Sequence, residues 1–373
     1  MRLLIYGDIG GSGGYIRYCK GILGSKSIPE DIEVWFICGF SLYQDLSPLD
    51  PEVHIITHRW MTSRNRYCRY LWYLWVYPRI VRRINPDAEF YPSGHLRVYL
   101  RKALTISTCH NLLLFDEKEL GLITNRKERK YFYRSSNYQT RTFQKSDAVI
   151  FLSNHSKKVI SKKLPNIKRS TVIAHGLDSA FLTTEKRSYE FGNRIRVLYV
   201  SPIYAYKHQV EVVKSVKLLR DLSGLDVDLY LIGDDTSSAS FELKQVVKSE
   251  NAEEYVIIKG GVNYKELIKE YKSADIFIFA SSSETFGITL LEAMGARLPI
   301  SCSNQTGLPD ILKDAGVYFN PDNPENIAES VLKLIKDIKL RETLGERAYQ
   351  YAAEYTWERC AFLTFNYIRS LVG

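Results

Sequence analysis

The chain has 373 residues, 45% of them hydrophobic and 25% charged, which suits two domains of ordinary soluble composition, each burying its own core. No apolar run approaches the roughly 18 residues of a membrane span. Met1–Tyr6 runs at once into a glycine-rich loop rather than a signal peptide. The six cysteines are scattered without C-x-x-C spacing, which argues against a zinc site or disulfide framework and for a reduced, cytoplasmic protein. Residues 1–185 carry 28 Lys+Arg against 16 Asp+Glu, a net of +12, and the remainder carries 23 against 26, a net of −3. The basic excess therefore belongs to the first half, which points to a polyanion or an anionic membrane surface as its partner.

Arg2–Tyr6 reads as a first strand, followed by Gly10–Gly14 and a helix from about Tyr15 to Leu23. Strand, glycine loop and helix form a phosphate-cradling outline, or simply a tight βα turn. The loop does not fit G-x-G-x-x-G, and no acidic residue follows at the distance expected for NAD. Strands near Glu33–Ile37 and Val53–Ile56 come next.

His58–Arg83 then holds seven arginines, three of the five tryptophans and no acid. Its Arg59, Arg64, Arg66, Arg69, Trp72, Trp75 and Arg79 have the pattern of a helix lying in a membrane interface. A core-packed helix with an arginine face and a nucleic-acid surface are the other readings, nucleic acid being the least favoured.

Leu104–Asn111 looks like a strand ending at His110, and open α/β sheets bind ligands beyond such strand ends. Residues 126–145 carry a second basic cluster. A strand at Asp147–Leu152, a helix from about Asn154 and a strand at Ser170–Ala174 complete the first domain. The polar stretch 179–194 reads as a linker.

The second domain opens with the strand Arg194–Ser201, a loop carrying Lys207 and His208, and a helix to about Leu222. Asp226-Val227-Asp228 matches a metal-binding D-x-D but opens a buried strand, Val227–Ile232, without an acidic cluster, so no metal is expected. After a strand at Val256–Gly260 comes the most informative stretch. The apolar run Asp275–Ala280 feeds Ser281–Glu284, a tight turn at Gly287 and a helix ending near Gly295. A helix N-terminus reached this way offers unbonded amides and a positive dipole end to a phosphate. Glu284 and Glu292 bracket it, suited to a nucleoside diphosphate with a group attached: Glu292 on ribose hydroxyls, the amides of Phe286, Gly287 and Ile288 on phosphate, Glu284 on hydroxyls beyond. The bland reading is a solvated helix glutamate beside a loop glutamate. A strand at Leu298–Cys302 and helices at about 324–338, 341–355 and 358–372 follow.

Ser283-Glu284-x-Phe286-Gly287 with Glu292, Ala293, Met294 and Pro299 resembles the donor-site signature of retaining glycosyltransferases of family 4. The resemblance covers most of the chain and is strongest over 195–320. It implies the α/β GT-B fold, two Rossmann-like domains facing across a cleft: an acceptor-side domain over 1–185 with 358–373 crossing back, and a nucleotide-sugar domain over 193–357. It also implies that Gly11, Ser12 and Gly13 lie near the donor phosphates, that His110 meets the transferred sugar, and that Lys207 clamps the donor diphosphate. The arginine that the family pairs with that lysine is replaced by Pro202.

The function implied is metal-independent, cofactor-free, retaining transfer of a hexose from a UDP- or GDP-sugar. The acceptor implied is a polyprenyl-diphosphate-linked glycan of the O-antigen or capsule kind, at the inner face of the cytoplasmic membrane. A transferase or epimerase acting on a soluble substrate, and a basic membrane-binding protein without activity, are the alternatives.

Overall fold

The computed structural model describes residues 1–7, 13–24, 28–46, 49–96 and 103–373. The chain divides into two compact units, one of Met1–Phe115, Tyr133–Gly176 and Tyr355–Gly373, the other of Asp116–Phe132 and Leu177–Glu354.

The first unit is built on β1 (Arg2–Tyr6), β2 (Glu33–Cys38), β3 (His54–Thr57), β4 (Ala88–Tyr91), β5 (Leu104–Cys109), β6 (Ala148–Phe151) and β7 (Ser170–Val172). They form one parallel sheet in the order β3-β2-β1-β4-β5-β6-β7. The central strands are buried on both faces, as in Leu3-Leu4-Ile5-Tyr6 and Ala148–Phe151, which is why they read as continuous apolar runs rather than alternating ones. On one face lie α1 (Gly13–Leu23), α2 (Phe40–Leu46) and the C-terminal helix, which share a core with β1, β2 and β4. On the other, Trp72, Tyr77, Val81 and Ile84 pack on Leu4, Tyr6, Ile37 and Tyr91. Trp72 opens a π-helical turn, Trp72–Val76, that follows α3 (Arg66–Leu71), and the other three lie on α4 (Tyr77–Ile84).

The remaining helices are α5 (Glu117–Gly121), α6 (Arg126–Lys145), α7 (Asn154–Lys163), α8 (Gln209–Ser223), α9 (Ser238–Ser249), α10 (Tyr264–Ser273), α11 (Ile288–Gly295), α12 (Leu308–Leu312), α13 (Pro324–Lys336), α14 (Ile338–Ala353) and α15 (Trp357–Val372). Side chains of Ser153, Asn263, Asn323, Asp337 and Thr356 cap α7, α10, α13, α14 and α15, each satisfying a first-turn amide that has no helical partner. α15 belongs to the first unit and packs on α1. A Cβ on Gly21 would sit 2.1 Å from the Trp357 ring, so only glycine admits that crossing.

The second unit holds β8 (Ile195–Val200), β9 (Val227–Ile232), β10 (Val256–Gly260), β11 (Ile276–Phe279), β12 (Ile300–Ser303) and β13 (Val317–Phe319), all parallel, in the order β10-β9-β8-β11-β12-β13. Each sheet reverses its winding beside its first strand, between β1 and β4 and between β8 and β11. Such a switch point leaves a crevice at the carboxyl ends of the strands.

Two features differ from the sequence reading. β4 was not expected: it is four residues long and carries a charge, Glu89, which is buried and receives the hydroxyls of Tyr77 and Tyr91. His58–Arg83 is not one helix either. Asn65 caps α3 by accepting from the Tyr67 amide, so Arg59 and Arg64 precede the helix.

Candidate functional site

Around the second unit's switch point, β8 and β11 each end in a loop, and the two loops are stitched together. The Ser282 amide donates to the Tyr206 carbonyl at 2.9 Å, and the Ser282 hydroxyl donates to the same oxygen at 3.2 Å. The Tyr199 hydroxyl, rising from β8, donates to the Lys207 carbonyl at 2.6 Å. This fixes a short 3₁₀ turn, Ala205–Lys207, and aims Lys207 inward. The Lys207 side chain is buried, its ammonium donates to the Glu284 carboxylate, and it stands 5.0 Å from the Tyr206 ring centre and 5.6 Å from that of Phe279. Lys207 and Glu284, 77 residues apart in sequence, are thus one ion pair at the strand ends. A buried pair of this kind contributes little net stability. It does hold an ammonium, with two further N–H donors, beyond the carboxyl ends of the strands, where open α/β sheets bind ligands.

Phe286 is buried, and Gly287 caps α11 with φ +86°. A side chain there would be strained by backbone conformation, and its Cβ would lie 2.9 Å from Leu308 Cδ2 and 3.2 Å from Phe279 Cε1. Leu290 and Leu291 are the first residues whose amides bond back to the Gly287 carbonyl. Ile288 and Thr289 precede them, in the first-turn positions where helix amides lack intrahelical acceptors. Glu292 lies on the second turn and is 1% exposed, with the Tyr271 hydroxyl donating to its Oε2 at 2.9 Å. The solvated-glutamate reading is therefore excluded: a carboxylate has been drawn into the interior and hydrogen-bonded there.

His208, next to Lys207 in the same loop, turns elsewhere. Its Nε2 lies 3.0 Å from the Ser282 hydroxyl, and its Nδ1 lies 3.6 Å from Glu211 and 3.7 Å from Asp322. It braces the two loops rather than extending the Lys207 charge. At Pro202 the carbonyl accepts from Gln209 Nε2 at 3.0 Å, so the missing arginine is replaced by a backbone tie. Tyr271 and Tyr206 were not singled out from sequence. Each reads locally as an ordinary aromatic, and only the sheet brings Tyr271 under Glu292.

In the first unit His110 follows β5. Its ring packs edge-on against Tyr18 at 4.9 Å and lies 5.3 Å from His175. Burial lowers its pKa to about 4, while the Pro92 carbonyl accepts from the ring and partly opposes the shift. The imidazole is therefore neutral, and Nε2 has no partner among the described residues. His175, also buried, is held well below the usual range by burial, by His110 and by Arg17. Gly11 and Ser12 lie outside the described residues; Gly13 opens α1.

The arginine–aromatic set separates into two groups. Trp72 is fully buried, stacked on His58 at 5.0 Å, with its indole N–H toward the Tyr6 hydroxyl. This corrects its assignment to a membrane face. Arg69 is half-buried and donates to the Ser63 carbonyl at 2.8 Å. Arg59, Arg64, Arg66, Trp75 and Arg79 are exposed.

Residues 29–181 match the family model described as Glycosyltransferase Family 4, and residues 183–351 match that described as Glycosyl transferases group 1. The chain is 33% identical over 124 residues to O-antigen chain mannosyltransferase B of Escherichia coli, covering 33% of this chain and 32% of that protein. It is 26% identical over 180 residues to D-inositol 3-phosphate glycosyltransferase of Paenarthrobacter aurescens, covering 48% and 44%. The chain thus spans a third to under a half of the length of these relatives. Among solved structures it is similar to Anabaena HepE in complex with UDP and glucose, with a TM-score of 0.75, 16% identity and coverage of 99% and 100%. With two glycosyltransferase models lying end to end along the sequence and both doubly wound units matched over their whole length, the chain is a glycosyltransferase of the GT-B fold.

Proposed function

We propose that this glycosyltransferase moves a hexose from a nucleoside-diphosphate sugar to a hydroxyl acceptor with retention of configuration. One observation carries the reading: a buried ammonium and a carboxylate, Lys207 and Glu284, are paired at the β8/β11 strand ends, next to the N-terminus of α11. In the proposed complex Lys207 and the amides at Phe286–Ile288 neutralise charge developing on the departing diphosphate. Glu292 holds the ribose and Glu284 takes sugar hydroxyls; in the first unit, the unpartnered Nε2 of His110 is an acceptor for a sugar hydroxyl. No side chain is assigned as general base; the leaving phosphate takes the acceptor proton. HepE, with UDP and glucose bound, supports the donor class.

For the acceptor, the relatives favour a soluble molecule, as in the enzyme named for D-inositol 3-phosphate. A second reading has its own support. The O-antigen mannosyltransferase relative and the exposed aromatic residues around Trp75 fit a polyprenyl-diphosphate-linked glycan, extended at the inner face of the cytoplasmic membrane. The experiment is a thermal-shift screen of UDP-, GDP- and dTDP-sugars, followed by acceptor-free release of nucleoside diphosphate. Binding to the native state raises the melting temperature, and the product's anomeric configuration reports retention. If no sugar nucleotide shifts the transition and none is hydrolysed, the reading fails.

A further inference from the structure

The helical run Arg66–Ile84 is apolar on two sides. One side is accounted for, since Trp72, Tyr77, Val81 and Ile84 are in the core. The π turn makes this register work: the Tyr77 amide donates to the Trp72 carbonyl, an i→i+5 bond that sets both aromatics on the buried side. On the other side Tyr67, Tyr70, Leu71, Leu74 and Trp75 follow the i, i+3, i+4, i+7, i+8 spacing of one helix face, and all five are exposed, Tyr67 by 64%, Leu74 by 51% and Trp75 by 56%.

The rim of this stripe is cationic. Arg66 lies 5.1 Å over the Tyr67 ring, and Arg79 lies 5.1 Å over Trp75 while donating to the Trp75 carbonyl. Arg64, Arg82 and Arg83 are exposed at its ends, and no acid occurs between Glu52 and Asp87.

We propose that this stripe docks the chain on a bilayer surface bearing anionic lipid, with Leu71, Leu74 and Trp75 in the acyl boundary and the arginines on lipid phosphates. Charge decides among occupants. A second copy meeting the same patch across a two-fold axis would set arginines against arginines with no acid to pair them. Single-stranded nucleic acid would use the arginines and aromatic faces but has no use for Leu71 and Leu74. An interfacial helix needs all three: aliphatic depth, aromatics at the boundary and a basic rim. No described helix is long and apolar enough to cross a membrane, so the run lies in the plane of the surface. The inference rests on the stripe alone and not on the donor or acceptor reading.

The test is co-sedimentation of the full chain with phosphatidylcholine vesicles, with and without one lipid in three replaced by phosphatidylglycerol. Wild type should pellet with the anionic vesicles at low salt and only weakly with the neutral ones. Leu71→Ser with Leu74→Ser should lower the partition at least ten-fold. Arg82→Glu with Arg83→Glu should lower it by about five-fold or more per charge. Both pairs should leave acceptor-free donor hydrolysis unchanged, which keeps a failed membrane test distinct from a failed donor site. The proposal is overturned if wild type stays in the supernatant. It is equally overturned if the double serine variant binds as wild type does, if light scattering shows a dimer that the same serines dissociate, or if an oligonucleotide displaces the vesicles.

Discussion

The two units use one topology, and the side chains at their strand ends stand in different electrical states. In the second, β8 and β11 present an ammonium paired with a carboxylate, and a helix N-terminus follows. In the first, β5 ends at His110, packed beside Tyr18 and His175, where burial keeps both imidazoles uncharged. A doubly wound sheet fixes where a ligand goes; the strand-end side chains fix what it is. A formal positive charge suits a leaving diphosphate, and a neutral imidazole with one open nitrogen suits a sugar hydroxyl.

The largest effect expected from breaking this contrast is at Lys207. Lys207→Ala should lower turnover about 10²- to 10³-fold, the cost of removing one fixed donor to developing charge, with donor KM within a few-fold of wild type. Steady-state release of nucleoside diphosphate measures it. A parallel melt is needed because Glu284 is left without its partner. Wild-type turnover in this variant would remove the charged half of the comparison.

Next is Glu292, where binding rather than turnover should respond. Glu292→Ala should weaken nucleotide affinity about ten- to a hundred-fold, the range for a hydrogen-bonded charged group. Tyr271→Phe, which deletes the hydroxyl's bonds to Glu292 Oε2 at 2.9 Å and to the Thr289 carbonyl at 3.1 Å but keeps the carboxylate, should cost about five-fold. Calorimetric titration with the nucleotide separates the two. Equal affinities in all three proteins would place the ribose elsewhere.

These residues also show what a sequence can carry. Glu284, Gly287 and Glu292 were legible because strand, loop and helix are consecutive, so spacing along the chain is spacing in the site. Lys207 was legible only through resemblance, since its partner is 77 residues away. Tyr271 was not legible, because it reaches Glu292 from the preceding helix, across β11. Trp72 and Trp75 are the clearest case. Composition treats them alike, yet one is 0% and the other 56% exposed. The π turn that sorts them is a hydrogen-bond register with no residue signature.

Gly287→Ala tests the loop backbone and should have a smaller effect. A left-handed non-glycine residue costs about 1–2 kcal/mol, and the contact with Leu308 Cδ2 at 2.9 Å adds to it. The unit's melting temperature should fall by about 4 °C, whereas Gly192→Ala, with nothing within 4 Å of its Cβ, should leave it unchanged. A wild-type melt for Gly287→Ala would mean that the turn can adopt another conformation.

The smallest effect expected concerns the neutral half. Folding depresses the His110 pKa to about 4, against about 6.5 in an unfolded chain. Between those values the unfolded state binds a proton that the folded state refuses. The stability associated with a neutral His110 is therefore complete above pH 6.5 and is lost as the pH falls toward 4; His175 adds in the same direction. Urea midpoints at pH 7 and pH 5 should show wild type losing more stability on acidification than His110→Gln, a side chain that cannot charge. Turnover should follow the same logic. An imidazole that is already neutral contributes no step to the rate profile near pH 6.5. A step there that His110→Gln abolished would show a titrating cation in the first unit, and the two sets of strand ends would then differ in degree rather than in kind.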